Sequence, residues 1–249
     1  MSTFRIAAAQ VSSTRGDLDG NIVRHLDAIR VAASQAVSVL VFPELSLMGY
    51  EPELAKTYEL SPTDPRLVPV AHLAKQERMQ VVAGASIVSG QAKPYLGEFI
   101  FGDDGSLRTY AKMHLGGSES SYFTAGNTLM SVESHDQSIG LSICADSSRR
   151  SHPAAYASKG ATAYAASVFL NAEWYATDSP RFAAYAVDFG MLVLTTNHAA
   201  SIGTLVSVGN SAAWAPDGSL IACAAGTQSA LVVATRTGET WVGEVVRVR

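Results

Sequence analysis

Short apolar runs and amphipathic stretches alternate from the start of the chain. Residues 5–10 carry Ile-Ala-Ala-Ala, the density of a central strand, and residues 37–42 (Val-Ser-Val-Leu-Val-Phe) read as the next. Between them Ile22, Leu26, Ile29 and Ala33 recur at helical spacing, behind Gly16-Asp17-Leu18-Asp19, where either aspartate suits a helix cap. Strand, helix and strand in succession form a βαβ unit, whose strands run parallel. Asp64-Pro65 carries a helix-start signature, and that helix runs to about Arg78 before a strand over residues 80–88. Residues 95–101 and 107–110 flank Gly102-Asp103-Asp104-Gly105-Ser106, a hairpin signal, and residues 129–133 and 138–143 make a second antiparallel pair.

The alternation then resumes. His152-Pro153 opens a helix that Lys159-Gly160 closes, and residues 162–168 form a strand. Ser179-Pro180 opens another helix, with Phe182, Tyr185, Ala186 and Phe189 on one face and Gly190 as its stop. Residues 192–196 are the matching strand. A hairpin over residues 211–214 and 220–224 turns about Pro216-Asp217-Gly218, and residues 230–235 are a last strand. No linker divides the chain, so residues 1–249 are expected to form a single domain. A mixed sheet, or two sheets face to face with helices outside, would bury this many strands. Residues 236–249 carry no firm pattern. Trp241, Val242, Val245 and Val246 suit a tail anchored on a neighbouring subunit.

Composition narrows the function classes. Of 249 residues 47% are hydrophobic and 16% charged, which suits a large core and a buried interface between subunits. No apolar stretch approaches the roughly 20 residues of a membrane helix, and the start lacks the features of a signal peptide. The net charge is −4, and Arg149-Arg150 is too short a basic run for a nucleic-acid footprint. Two cysteines, Cys144 and Cys223, suggest no disulfide framework. A soluble, cytoplasmic protein with no nucleic-acid or membrane partner is expected. No paired-histidine metal motif, phosphate loop or dinucleotide fingerprint occurs.

The candidate chemistry sits at strand ends. Cys144 closes the run Ile139, Leu141, Ile143, where the chain turns into a small polar segment. A lone strand cysteine is more often packing than nucleophile. Glu44 follows an apolar strand and a proline, Lys112 stands among apolar neighbours after residues 107–110, and Glu119 follows Gly116-Gly117-Ser118. Singly, each reads as a loop cap, a solvated amine or the start of a helical turn. Together they form a usable set. A thiol nucleophile needs a base, which a carboxylate supplies when burial raises its proton affinity. The oxyanion of a tetrahedral intermediate needs a fixed cation and a backbone N–H. Cys144 with His152 or His198 and Asn197 would make a papain-like set, but those proteases carry their cysteine near the mature amino terminus. Cys223, in a hairpin strand between small residues, reads as packing.

Phe42-Pro43-Glu44-Leu45, with Gly49-Tyr50 beyond, resembles the glutamate motif of the nitrilase superfamily, the carbon–nitrogen hydrolases. Tyr110-Ala111-Lys112-Met113-His114-Leu115 resembles its lysine motif, and Ile143-Cys144-Ala145-Asp146 its cysteine motif, in the family's order. The resemblance implies a four-layer α-β-β-α sandwich, paired through a subunit interface as a homodimer or higher homo-oligomer. It implies Cys144 as nucleophile, Glu44 as general base, Lys112 as oxyanion stabiliser with the Ala145 N–H, and Glu119 as a supporting carboxylate, with neither a metal nor an organic cofactor. The substrate implied is a small amide; an N-carbamoyl amino acid or a nitrile on the same site is the alternative, and a catalytically silent binding protein the rival from another class. Two departures fall where substrate would sit. The family often continues Asp-x-Arg-Phe-Pro after the cysteine, whereas here Asp146 leads into Ser147-Ser148-Arg149-Arg150-Ser151-His152-Pro153. Trp174 also comes later than the family's usual tryptophan. Tyr50, His114, Arg149, Phe169 and Trp174 are therefore the candidate pocket residues, and Arg149, Arg150 or Arg181 the candidates to hold a substrate carboxylate.

Overall fold

The computed structural model describes residues 3–248. The chain first lays down β1 (Thr3–Gln10), β2 (Val39–Val41), β3 (Gln80–Ile87), β4 (Tyr95–Phe101) and β5 (Leu107–Ala111), with helices α1 (Leu18–Ser34) and α2 (Val68–Gln76) between the early strands. It then crosses to β6 (Ser131–Ser134), β7 (Gln137–Ile143), β8 (Ala163–Ser167), β9 (Leu192–Thr196), β10 (Ser211–Trp214) and β11 (Leu220–Ala224), with α3 (Ser151–Ala157) before β8 and α4 (Ala172–Phe189) before β9. Finally β12 (Ala230–Thr237) and β13 (Thr240–Arg247) return to the first sheet. The two sheets are ordered β13-β12-β1-β2-β3-β4-β5 and β11-β10-β9-β8-β7-β6. Both are mixed: β1–β2–β3 and β7–β8–β9 are parallel where helices make the crossovers, and hairpins extend each sheet antiparallel.

Alternation along the strands sorts side chains into layers. Ile6, Ala8, Val39 and Val41 face Ile139, Leu141, Ile143, Leu192 and Leu194 across the space between the sheets. Ala7, Ala9 and Leu40 point the other way, against Ile22, Ala28 and Ile29 of α1 and Val70 and Leu73 of α2. On the second sheet Tyr164, Ala166 and Val193 pack outward on Phe182, Tyr185 and Ala186 of α4. The result is the expected α-β-β-α sandwich. No helix among the described residues is long and apolar enough to cross a membrane.

Two elements differ from expectation. The helix placed at Ser179-Pro180 begins at Ala172, with Pro180 in its interior. Asn171 is the cap, its side chain accepting from the Trp174 N–H at 2.8 Å. Pro180 is tolerated because Ala176, whose carbonyl it leaves unbonded, lies on the exposed face of the helix where water can satisfy it. The second difference is the tail. Residues 240–247 pair with β12 along its length, around a turn at Gly238 (φ 62°). Trp241 is buried in its own chain, edge-on to Phe4. The strand escapes a pattern search because its apolar residues come as adjacent pairs, Trp241-Val242 and Val245-Val246, rather than in alternation.

Candidate active site

Three strands end at one place between the sheets. The turn after β2 carries Glu44, the residue after β5 is Lys112, and the residue after β7 is Cys144. Close backbone approach makes this possible. A Cβ on Gly84 of β3 would lie 2.4 Å from both the Pro43 carbonyl and the Leu45 N–H nitrogen, so only glycine lets the Glu44 turn pass over that strand. A Cβ on Gly126 would likewise meet the Ala111 carbonyl at 2.4 Å, while the Gly126 N–H bonds the Lys112 carbonyl at 2.8 Å. His198, at the end of β9, donates its Nε2–H to the Glu44 backbone carbonyl at 2.8 Å; burial lowers its pKa to about 4, so the ring stays neutral.

The Lys112 ammonium is buried and donates to Glu44 Oε1 at 2.7 Å and to the Glu119 carboxylate at 2.8 Å. Burial alone would lower its pKa, but Glu44, Cys144 and Glu119 outweigh that and the net shift is upward. It remains a cation. Glu119, in the short helical turn Glu119–Ser121, also accepts from the Tyr50 hydroxyl (3.0 Å) and the Gly116 N–H (2.7 Å). Burial lifts Glu44 to about 7, against the pull of the Lys112 charge. Its second oxygen, Oε2, is buried with no hydrogen-bond partner among the described residues. One oxygen is thus fixed by lysine and the other is free to take a proton.

Cys144 stands on a strained turn, with φ at +42°, at the start of a short helical turn over Cys144–Ser148. Burial and the Glu44 charge push the thiol up and Lys112 opposes them, so the resting sulfur is protonated and needs a base. The Ala145 N–H, second in that turn, is among the donors a helix start leaves unpaired. Asp146 fixes the turn. Its buried carboxylate accepts from the Ile143 N–H (3.2 Å), the Met113 N–H (3.1 Å), the His114 N–H (2.7 Å), the His114 ring (3.0 Å) and the Tyr110 hydroxyl (2.7 Å). In the sequence Asp146 stands out only as part of the cysteine motif, and four of its five donors come from residues 110–114, a segment that sequence does not bring to it.

The thiol opens onto a pocket of about 670 Å³, in the range of small-molecule sites, lined by Tyr50, Gly116, Glu119, Ala145 and Trp174. Tyr50 stacks on buried Phe169 (centroids 4.9 Å apart), so Phe169 supports the wall from behind. His114 is turned to Asp146 and does not line the pocket. Arg149 is exposed and also outside it. Arg150 pairs with Asp188 (2.9 Å) and Arg181 with Asp178 (2.7 Å), and neither lines the pocket. For Arg149 and Arg150 the reason is length: the polar turn after Asp146 carries them past the pocket to the start of α3. Among the described residues no group of three or more His, Cys, Asp or Glu side chains is arranged to hold a metal ion.

Beneath the site lies a further buried carboxyl, Glu98 of β4. Its Oε1 is 2.5 Å from the Ser167 hydroxyl, which is itself 2.8 Å from the Phe42 carbonyl. Ser167 has one proton, and donating it to Phe42 leaves Glu98 to supply the other. Burial raises Glu98 to about 8, which keeps it protonated at neutral pH. The folded value is above the ordinary 4.5, so this group's contribution is full below about pH 4.5 and lost as pH rises through about 8. Urea melts at pH 5 and pH 8 check this: Glu98→Gln is expected to reduce the fall in stability between them, and an unchanged fall would refute the assignment.

A carbon–nitrogen hydrolase family model matches residues 5–242. The amidase from Nesterenkonia sp. AN1 superposes with a TM-score of 0.85 at 22% identity, over 95% of this chain and 92% of that one, in its complex with butyramide. Glutamine-dependent NAD(+) synthetase from Thermotoga maritima is 30% identical over 166 residues, 64% of this chain and 28% of the synthetase. An (R)-stereoselective amidase from Pseudomonas sp. is 32% identical over 146 residues, 57% of this chain and 52% of that protein. The match thus spans about a quarter of the synthetase and half of the Pseudomonas amidase. With a family match from the first strand to the last hairpin, the chain belongs to the carbon–nitrogen hydrolase family.

Proposed function

We propose that this protein is a cysteine-dependent amidase that releases ammonia from a small, non-peptide amide through a thioester. One observation carries the reading: a buried Glu44 with one oxygen held by Lys112 and the other free, beside a thiol on a strained turn. Glu44 takes the thiol proton as the Cys144 sulfur attacks the carbonyl carbon. The charge that develops on oxygen meets the Lys112 ammonium and the Ala145 N–H. Collapse of the tetrahedral intermediate breaks the C–N bond, and Glu44 returns the proton to the departing ammonia. Glu44 then deprotonates a water, which attacks the thioester and frees the carboxylic acid and the thiol. Glu119 keeps Lys112 charged and in place throughout. A base whose pKa lies near 7 is suited to both the taking and the giving of that proton.

The Nesterenkonia amidase supports an amide over a nitrile, because it has been solved with butyramide and acrylamide and is similar across nearly the whole chain. The test is ammonia release across primary amides, N-carbamoyl amino acids and nitriles, with quenched samples weighed intact. Release from amides with an acyl mass on the peptide holding Cys144 is expected. Release from nitriles alone, or an acyl mass elsewhere, would overturn the reading.

A further inference from the structure

The pocket wall beyond the reacting atoms is acidic. Glu51, Glu53 and Glu173 line it, with Asp178 already paired to Arg181 and Glu119 to Lys112. The opposing charge on the wall is Arg15. Glu51 is the telling residue. It is 8% exposed, and its carboxylate accepts no hydrogen bond from the described residues. Its one ion-pair contact is Arg15 Nε at 3.6 Å, beyond hydrogen-bond length, on an arginine whose side chain is half exposed. The carboxylate lies over Gly203, where a Cβ would come within 2.5 Å of Oε1. A carboxylate this shielded, with only a distant and half-exposed arginine beside it, leaves room for a closer donor from the cavity it lines.

Aromatic groups share that wall. Trp174, 47% exposed in the first turn of α4, and Tyr122 both line the pocket. A cation gains from an aromatic face as well as from a carboxylate, whereas an anion gains from neither. Arg149, Arg150 and Arg181, the candidates to hold a substrate carboxylate, lie outside the pocket lining. We infer that the substrate is an amide bearing a positively charged amine, whose ammonium is held by Glu51 with Glu53, Glu173 and Trp174 around it, an inference that rests on the amidase reading of the same pocket. The ammonium would donate to Glu51 while the amide carbon meets Cys144, so the distance between amine and amide sets which substrate fits.

The experiment compares ω-amino amides of increasing length (glycinamide, β-alaninamide, γ-aminobutyramide) with their neutral isosteres propionamide, butyramide and pentanamide, and with glutaramate as the anion. At pH 7 and low salt at least one amino amide is expected to exceed its isostere in kcat/KM by about tenfold. Glutaramate is expected to be the poorest. That advantage should shrink as salt screens the partly exposed wall. Glu51→Gln is expected to bring the ratio of amino amide to isostere toward one, mainly through KM. Because the salt series and the substrate ratio use the natural protein, the inference is testable even where that variant folds poorly. Turnover of the neutral amides with no preference for the cation, or a preference for glutaramate, would overturn this inference and leave the amidase reading standing. Turnover of no amide at all would overturn both.

Discussion

Replacing Lys112 with methionine is expected to cost both activity and stability. The ammonium holds Glu44 at 2.7 Å and Glu119 at 2.8 Å in a site closed to bulk water. Loss of an oxyanion donor lowers rate by about 100- to 1,000-fold, and Glu44 also loses the contact that orients it. Removing one partner of a buried charge pair destabilises by about 3–5 kcal/mol, because the remaining charge is left unpaired. Lys112→Met leaves two such carboxylates facing each other. The stability loss should be smaller at pH 5 than at pH 8, since carboxyls in a dry site relieve the repulsion by taking up protons. Adding Glu119→Gln is expected to recover part of the melting temperature without recovering turnover. A Lys112→Met protein that melts like the natural one at pH 8 would contradict the buried triad.

The convergence of three strand ends is legible in the sequence. Glu44, Lys112 and Cys144 each follow a short apolar strand, and a strand end is where α/β proteins expose reactive groups. Strand periodicity is local, so the β10–β11 hairpin about Pro216-Asp217-Gly218 falls at the expected residues. Competing local signals mislead instead. At α4, Ser179-Pro180 resembles a helix start as strongly as Asn171-Ala172-Glu173 does, and only the exposure of Ala176 and Pro180 shows why the chain continues through the proline. The β13 edge was hidden for another reason, its apolar residues falling in adjacent pairs, Trp241-Val242 and Val245-Val246, that do not alternate.

Pocket chemistry was less legible, because its wall is assembled from distant segments. Arg15 follows β1, Glu51 follows the Glu44 turn, Trp174 opens α4, and Leu205 lies in the loop after β9. No spacing in the sequence relates them. Charge counting around Cys144 therefore pointed to arginines near it in sequence, Arg149 and Arg150, which the turn carries away. The acids that do face the thiol lie far from it along the chain. Strand ends read from local periodicity do converge, whereas of the pocket candidates Tyr50 and Trp174 line the wall and His114, Arg149 and Phe169 do not.

Asp146 is where sequence and site meet most tightly, and its replacement provides the second large effect. It lies two residues after Cys144 and accepts five hydrogen bonds, two of them from the backbone that follows Lys112. One carboxylate therefore ties the Cys144 turn of the second sheet to the Lys112 loop of the first. Asp146→Ala would orphan those donors in a dry interior at about 1–3 kcal/mol each, so a loss above about 4 kcal/mol, rare for a single change, is expected. Asp146→Asn separates positioning from folding. Its oxygen can still serve the Met113 and His114 N–H groups, and its NH₂ can donate to a reversed Tyr110 hydroxyl. The Ile143 N–H, directly before Cys144, then faces another donor. Stability should fall by about 1–3 kcal/mol, whereas kcat should fall by at least about tenfold with KM nearly unchanged, since the thiol moves and the pocket wall does not. Iodoacetamide labelling of Cys144 should slow in parallel with kcat. An Asp146→Asn protein that keeps full kcat while losing stability would reduce Asp146 to a structural group, and would assign the geometry of the nucleophile to the strained backbone of Cys144 alone.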